Sequence, residues 1–114
     1  MGIEEMREPT FLVLAALADG AKHGYALIGE VSAISGGRVT LRAGTLYAAL
    51  DRLTGEGLVR QSGEEVVEGR LRRYYDLTDP GAEILAAQVD RLRSNAAEAD
   101  RRLRSRRRLG TAPA

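Results

Sequence analysis

GTLYAALDRLTGEGLV, residues 44–59, is the stretch that decides how this chain folds. Placed on a helix at about 100° per residue, it has one sector of leucines and an opposite sector of small and polar residues. The two sectors are Leu46, Leu50 and Leu53 on one side and Thr45, Ala48, Ala49 and Arg52 on the other. A face so small and so lightly charged suits close approach to another surface, so we predict a DNA-recognition helix running to about Glu56.

Two shorter helices are predicted before this segment. The first follows Pro9, is apolar nearly all round over residues 11–18, and ends at Asp19-Gly20. The second covers residues 25–35 and ends at Gly36-Gly37. Its apolar residues at i, i+4 and i+7 are Leu27, Val31 and Ile34. After the third helix we expect Gly57 in the left-handed conformation and Leu58 folding back onto the helix.

The sequence changes from helical to alternating periodicity after Leu58. Residues 58–62 and 70–77 predict two antiparallel strands, separated by a polar stretch that ends in Gly69. Alternation along the second strand places Leu71, Arg73, Tyr75 and Leu77 on one face and Arg70, Arg72, Tyr74 and Asp76 on the other. We therefore expect at least Arg70 and Arg72 to point away from the core.

A long helix is predicted for the last part of the chain. Asp79 is the expected cap, and Pro80 occupies the first turn. Apolar residues then recur in steps of 4, 3, 4, 3 and 4, which is the spacing of a coiled-coil seam. The seam consists of Leu85, Val89, Leu92, Ala96, Ala99 and Leu103. We predict a dimerisation helix over residues 79–109, with a short antiparallel or crossed contact, and a disordered tail over residues 110–114.

Composition narrows the class of protein. The chain has 114 residues, a usual length for one domain, and a net charge of +1. That charge is uneven, because residues 1–41 hold five acids against three bases and residues 80–114 hold four acids against eight arginines. A basic binding surface must therefore come from the distribution of charge and not from its sum.

Several classes of function are disfavoured by what the sequence lacks. With no cysteine, one histidine, no phosphate-binding loop and no dinucleotide-binding glycine pattern, we expect no enzyme, no metal site and no cofactor. The single histidine, His23, is expected to pack against or cap the second helix. The N-terminus has no signal-peptide pattern and the apolar run at residues 11–18 is too short to span a bilayer, so we expect a cytoplasmic protein without membrane attachment.

Three helices followed by a hairpin are the order of a winged helix-turn-helix, and five short motifs point to a family. They are His23-Gly24-Tyr25, Gly44-Thr45-Leu46-Tyr47, Leu50-Asp51-Arg52-Leu53, Gly57-Leu58-Val59, and Gly69-Arg70 with Arg73-Tyr74-Tyr75-Asp76-Leu77-Thr78 and Gly81. Through these the chain resembles the PadR-like transcriptional regulators over roughly residues 9–85. The predicted fold is mainly α with a small β-hairpin: a winged helix-turn-helix DNA-binding domain over residues 1–78, then the long C-terminal helix.

The resemblance implies a homodimeric, sequence-specific repressor of the short type with a single C-terminal helix. Its third helices would enter successive major grooves of a pseudo-palindromic operator, its wings would touch the flanking backbone, and a small aromatic effector would release it from DNA. Two residues depart from the family pattern. Ala48 stands where Pro is frequent, and Arg42 stands where a capping Ser is frequent, so we expect Thr40 to cap the helix and Arg42 to contact phosphate.

The candidate DNA-binding residues are Arg42, Gly44, Thr45, Tyr47, Ala48, Arg52, Arg70, Arg72 and Arg73. The small residues of the third helix would allow close approach to base edges, and the arginines would bind phosphate. Other interpretations stay open at this stage. The wing arginines can instead pair with Glu64, Glu65 and Glu68, and the arginines of residues 101–108 suit either a helix C-terminus or DNA. The alternative function is a winged-helix module that binds another protein without specific DNA binding.

Overall fold

The computed structural model describes residues 6–110, and within that range the chain forms four helices and one small sheet. In chain order the elements are α1 (Glu8–Leu17), β1 (Lys22–His23), α2 (Gly24–Ile34), α3 (Ala43–Gly55), β2 (Val59–Val67), β3 (Arg70–Leu77) and α4 (Asp79–Arg108). This arrangement confirms the predicted fold class, a mainly helical winged helix-turn-helix head with a long C-terminal helix. Of the predicted disordered tail, residues 111–114 lie outside the described residues.

The core of the head forms around the leucine sector of α3. Leu46, Leu50 and Leu53 are all completely buried, as the helical pattern predicted. α1 contributes apolar side chains from nearly all its faces, since five of its ten residues are buried. α2 adds Leu27 and Val31. Burial of such side chains from water supplies most of the favourable free energy of folding, so α3 is held firmly by its inner face.

Both ends of α3 are defined by the backbone. At its C-terminal end Gly57 has φ of +78°, and the Leu58 N–H donates to the Leu53 carbonyl at 3.0 Å, which confirms the predicted left-handed turn. At its N-terminal end the cap residue is Arg42, whose side chain makes no capping hydrogen bond. The predicted cap by Thr40 is wrong, because the helix begins at Ala43 and Thr40 lies too far ahead of it.

A third strand, which the sequence pattern did not predict, joins the hairpin to the helices. β1 pairs with β3 in antiparallel register, Lys22 opposite Tyr75 and His23 opposite Tyr74, so the strand order is β1-β3-β2. The same His23 caps α2, because its Nδ1 accepts a hydrogen bond from the Ala26 N–H at 3.4 Å. One histidine thus links the sheet to the start of α2, which confirms its predicted capping role.

The hairpin is longer than predicted. β2 continues past Ser62 to Val67, through the stretch that we predicted as a polar connection, and the turn has only two residues, Glu68 and Gly69, with φ of 51° and 77°. Both residues of a two-residue hairpin turn of this kind need positive φ. Leu71, predicted on the buried face with Tyr75, is 54% exposed because the end of the hairpin extends beyond the head.

α4 begins at a junction with the end of α3. Its cap is Thr78 and not Asp79: the Thr78 Oγ1 accepts from the Gly81 N–H at 3.0 Å and donates to the Gly57 carbonyl at 2.6 Å. Asp79 is the first residue of the helix. Gly81 packs so closely against the backbone of Leu58 that a Cβ would collide with the Leu58 carbonyl oxygen. The first turns of α4 are therefore fixed to the head.

The rest of α4 projects from the head. Leu85 is 8% exposed because it packs in the core of its own chain, which leaves little of its side chain for a second protomer. Beyond Arg91 every residue of the helix except Ser105 is exposed, including Leu92 and Leu103. The described part of the molecule is accordingly elongated, with extents of 64 × 27 × 21 Å.

Candidate nucleic-acid interface

The outer face of α3 is open over its first three turns. The exposed residues include Arg42, Gly44, Thr45, Tyr47, Ala48 and Arg52, all of which we predicted at the DNA interface. They form one face because the leucines that alternate with them in the helical period are buried. Apart from Tyr47 and the two arginines, the side chains of this set are small, so a flat surface such as base edges can approach the helix backbone closely.

A cleft of about 310 Å³ separates α3 from the hairpin. Tyr47 of α3 and Tyr25 at the start of α2 line its helical side, and Arg70, Arg72 and Arg73 line its hairpin side. The structure thus brings the three predicted wing arginines to the same cleft as the predicted recognition helix. Because arginine forks match phosphate oxygens, a nucleic-acid backbone fits the chemistry of this cleft.

Acidic residues of the hairpin neutralise these arginines only in part. Arg73 lies 3.6 Å from the Glu64 carboxylate, and of the three arginines that line the cleft it is the one with an ion pair among residues 6–110. Glu65 instead accepts a hydrogen bond from the Tyr74 hydroxyl, which raises the pKa of that tyrosine. The sequence left two interpretations open, and the answer differs between residues. Arg73 pairs with an acid of the hairpin, Arg70 is exposed, and Arg72 is half-buried beside the Tyr74 hydroxyl.

Tyr47 is positioned by a glycine. A Cβ on Gly24 would collide with the Tyr47 hydroxyl and would lie 2.7 Å from its Cζ, so only glycine leaves room for the ring at this point. On its other side the ring lies 6.4 Å, centroid to centroid, from that of the buried Tyr75. Tyr47 is 39% exposed, which combines a packed ring with an accessible edge at the cleft.

Arg52 differs from the other predicted contacts because it already has partners. Its Nη2 donates to the Thr10 hydroxyl of α1 at 3.0 Å, and its Nη1 lies 3.8 Å from the Glu56 carboxylate. Together with Arg7 and Thr10 it borders an open, mostly apolar groove of about 420 Å³ between α1 and α3. Three residues predicted to contact DNA, Thr45, Ala48 and Arg52, line this groove.

The start of α1 is fixed to the connection between α2 and α3. Arg38 donates to both Glu8 oxygens, at 3.2 and 2.6 Å. These hydrogen bonds lower the pKa of Glu8 and raise that of Arg38. An exposed charged pair therefore joins the start of α1 to the α2–α3 connection, in addition to apolar packing.

The amino-acid sequence that forms the three helices and the wing matches a known protein family. The sequence model of the transcriptional regulator PadR-like family matches residues 13–87. The chain belongs to the PadR-like family. Members of this family are transcription regulators and not enzymes.

One related sequence is a 37.1 kDa uncharacterised protein in transposon Tn4556 of Streptomyces fradiae, 47% identical over 78 residues. That match covers 68% of the PadR-like chain and 21% of the transposon protein. Two solved structures share the fold. A PadR-family regulator from Clostridium difficile R20291 has a TM-score of 0.68 and 23% identity, covering 82% of this chain and 96% of that one. Bacillus subtilis PadR in complex with operator DNA has a TM-score of 0.65 and 23% identity, covering 73% and 48%.

Two surface features of this PadR-like chain were not singled out from sequence. Tyr25 is 71% exposed at the cleft, and its place opposite Leu27 on the α2 wheel is a signal that could have identified it. The groove formed by α1 gave no comparable signal, because it depends on how two helices distant in sequence pack together. Arg7 and Thr10 are three residues apart and so share one side of the α1 start.

Several arginines near the end of α4 pair with acids of the same helix. Arg101 and Arg102 both donate to Glu98, which lowers the pKa of that carboxyl, and Arg104 pairs with Asp100. Such pairs three and four residues apart favour the solvated-helix interpretation over a DNA contact.

Within residues 6–110 no helix is both long enough and apolar enough to cross a membrane.

Proposed function

We propose that this PadR-like chain represses transcription by binding a pseudo-palindromic operator as a homodimer. The observation that carries the proposal is the open, small-residue face of α3 between a cleft lined by three arginines and a groove bordered by Arg7 and Arg52. Family members bind operator DNA, often as dimers. The Bacillus subtilis relative, which shares the fold, is bound to operator DNA in its structure.

In this proposal α3 lies in the major groove, where some of the proposed residues contact bases and others contact the DNA backbone. Gly44, Thr45 and Ala48 bring the helix close to base edges, where the Thr45 hydroxyl and methyl distinguish bases. The arginines and the tyrosine bind the backbone, which fixes the register of the helix but carries little sequence information. These backbone contacts are Arg42, Tyr47, Arg52, Arg70, Arg72 and Arg73.

Dimerisation is assigned to α4, with residues 1–78 as the DNA-binding domain and residues 79–109 as the dimerisation helix. The proposed seam has apolar or small side chains at coiled-coil spacing. Val89 is half-buried and Leu92, Ala96, Ala99 and Leu103 are exposed in the single chain, with Leu85 contributing the packing that anchors the helix to its own head. A two-fold dimer places two α3 helices on half-sites about one helical turn apart.

Release from the operator is proposed to follow binding of a small aromatic effector near the dimer contact. The support is the resemblance to the PadR-like regulators. The proposal requires no cofactor, and it places the protein in the cytoplasm, where the operator is.

The experiment that tests this function is selection of bound duplexes from a random DNA pool at physiological salt, using the full chain. We expect enrichment of one pseudo-palindrome whose half-sites are about 10 base pairs apart. The matched control is the Thr45→Ala variant, which should enrich a different half-site at the positions that Thr45 contacts. A pool that stays unenriched would favour the alternative, a winged-helix module that binds another protein.

A further inference from the structure

We infer that the first turn of α1 is a second backbone-binding element, which holds the DNA strand on the side of the major groove opposite to the wing. Arg7 and Thr10 are the proposed contacts, acting together with Arg52. This inference rests on the proposed function, since it assumes that α3 enters the major groove.

The two depressions beside α3 give the geometrical basis. Tyr47 lines the cleft toward the hairpin, whereas Thr45, Ala48 and Arg52 line the groove toward α1. The exposed face of α3 thus has the hairpin on one side and the start of α1 on the other. In the proposed complex, a duplex that accepts α3 therefore lies beside both elements.

The dimensions of DNA make this arrangement useful. The major groove of B-DNA is about 12 Å wide and admits one helix, with a phosphate strand along each edge. The wing arginines account for one of those strands. Since backbone contacts fix the position of a recognition helix, contacts at the other strand would hold α3 from both sides.

The side chains at the α1 groove suit a phosphate. Arg7 is exposed, and although it is the cap residue of α1, its side chain makes no capping hydrogen bond. The Thr10 oxygen accepts from Arg52, which leaves the Thr10 hydroxyl hydrogen able to donate. Arg52 has five N–H donors, and its contacts to Thr10 and Glu56 leave others for a ligand.

The two acids nearest to the α1 groove, Glu8 and Glu56, oppose phosphate binding only weakly. Glu8 directs both carboxylate oxygens to Arg38, on the side of the α2–α3 connection. Glu56 lies 3.8 Å from Arg52 and pairs with it weakly. Arg7 and Arg42, both exposed cap residues at the starts of α1 and α3, add two positive charges that have no ion pair within residues 6–110.

The test is phosphate-ethylation interference on the selected operator duplex, comparing the wild-type chain with Arg7→Ala and Arg72→Ala. Each variant should lose interference at a different set of phosphates, lying on opposite edges of the same major groove. Arg7→Ala should also lower the slope of log K against log salt by about 1, as loss of one phosphate contact does. Arg7→Lys, which keeps the charge, should restore most of the slope.

Control variants separate this contact from general effects. Arg93→Ala removes an exposed arginine of α4 and should leave slope and interference pattern unchanged. Thr10→Val keeps the shape of the side chain and should lose interference at the same phosphates as Arg7→Ala. If Arg7→Ala keeps wild-type slope and pattern while Arg72→Ala does not, the inference is wrong and the proposed function stands. If the wild-type chain itself shows no specific binding, both are wrong.

Discussion

At the scale of single residues, Tyr47 shows how the inner and outer sides of α3 are connected. Its ring packs toward the buried Tyr75 and against Gly24, and its exposed edge borders the wing cleft. A change at Gly24, which is itself buried, should therefore reach the surface through one side chain.

We predict that Gly24→Ala displaces the Tyr47 ring toward the wing cleft. The added Cβ cannot coexist with the present ring position, and the exposed side of the ring leaves it room to move. We expect a loss of about 1–3 kcal/mol in the free energy of unfolding and weaker operator binding. In a double-mutant cycle measured by denaturant unfolding, most of that loss should vanish in a Tyr47→Ala background; equal losses in both backgrounds would contradict the contact.

A second residue-scale prediction separates phosphate contacts, which set the affinity for any DNA, from base contacts, which set the sequence preference. Arg72→Ala should weaken binding to all DNA sequences alike and lower the salt slope by about 1, because Arg72 is assigned to phosphate. Thr45→Ala should instead cost about 1–3 kcal/mol at its own base pair and little elsewhere. Binding assays on the operator and its single-base variants at several salt concentrations measure both effects. Unchanged affinity and slope for Arg72→Ala would remove the wing from the interface.

At the scale of elements, α3, β2 and α4 meet at the backbone of Leu58. Thr78 caps α4, its backbone N–H donates to the Leu58 carbonyl at 3.1 Å, and Gly81 lies against that same residue. Moving the backbone of Leu58 would cost free energy, because its N–H donates the hydrogen bond to the Leu53 carbonyl that closes α3.

We predict opposite effects for two glycine-to-alanine substitutions in helices. Gly81→Ala forces a Cβ into the Leu58 carbonyl and should lower the free energy of unfolding by about 1–3 kcal/mol or more. Gly29→Ala, on the exposed side of α2 where nothing lies within 4 Å of the new Cβ, should raise it by roughly 0.5–1 kcal/mol. Thermal and urea unfolding of both variants provide the comparison, and a neutral Gly81→Ala would show that the junction is looser than described.

The elements also show where sequence patterns suffice. The helical period located α1, α2 and α3 to within a residue or two, because each buries a face whose apolar spacing is visible in the chain. β1 was missed since two residues cannot show alternation. The outer part of β2 was missed because Glu64 and Glu65 are stabilised across the hairpin by Arg73 and Tyr74, a relation between strands that composition alone hides.

The candidate site likewise has a part that the sequence predicts and a part that it does not. Residues on the face of α3 follow from the helical period, whereas the partners of Arg52 and the groove at Arg7 depend on how α1 packs beside α3. The cap of α4 was predicted one residue late, because Thr78 and Asp79 are both good cap residues and only the contact to Gly57 distinguishes them.

At the scale of the whole molecule, the projecting part of α4 dominates the shape. We predict that Leu92→Glu yields monomers with poor operator binding, because it places a charge in the seam proposed for the second protomer. Ser94→Glu, on the opposite side of the same helix, is the matched control and should stay dimeric. Sedimentation measures the mass directly, and a Leu92→Glu variant that sediments as a dimer would contradict the seam assignment.

The hydrogen bonds from Thr78 to Gly57 and to Leu58 have a mechanical consequence. They join the end of α3 to the start of α4 without a flexible linker, so the two helices turn together. A helix of 30 residues is about 45 Å long, and a tilt of about 5° at this joint moves its far end by about 4 Å. In the proposed dimer, a small shift where the two α4 helices meet would therefore become a rotation of both α3 helices about Thr78.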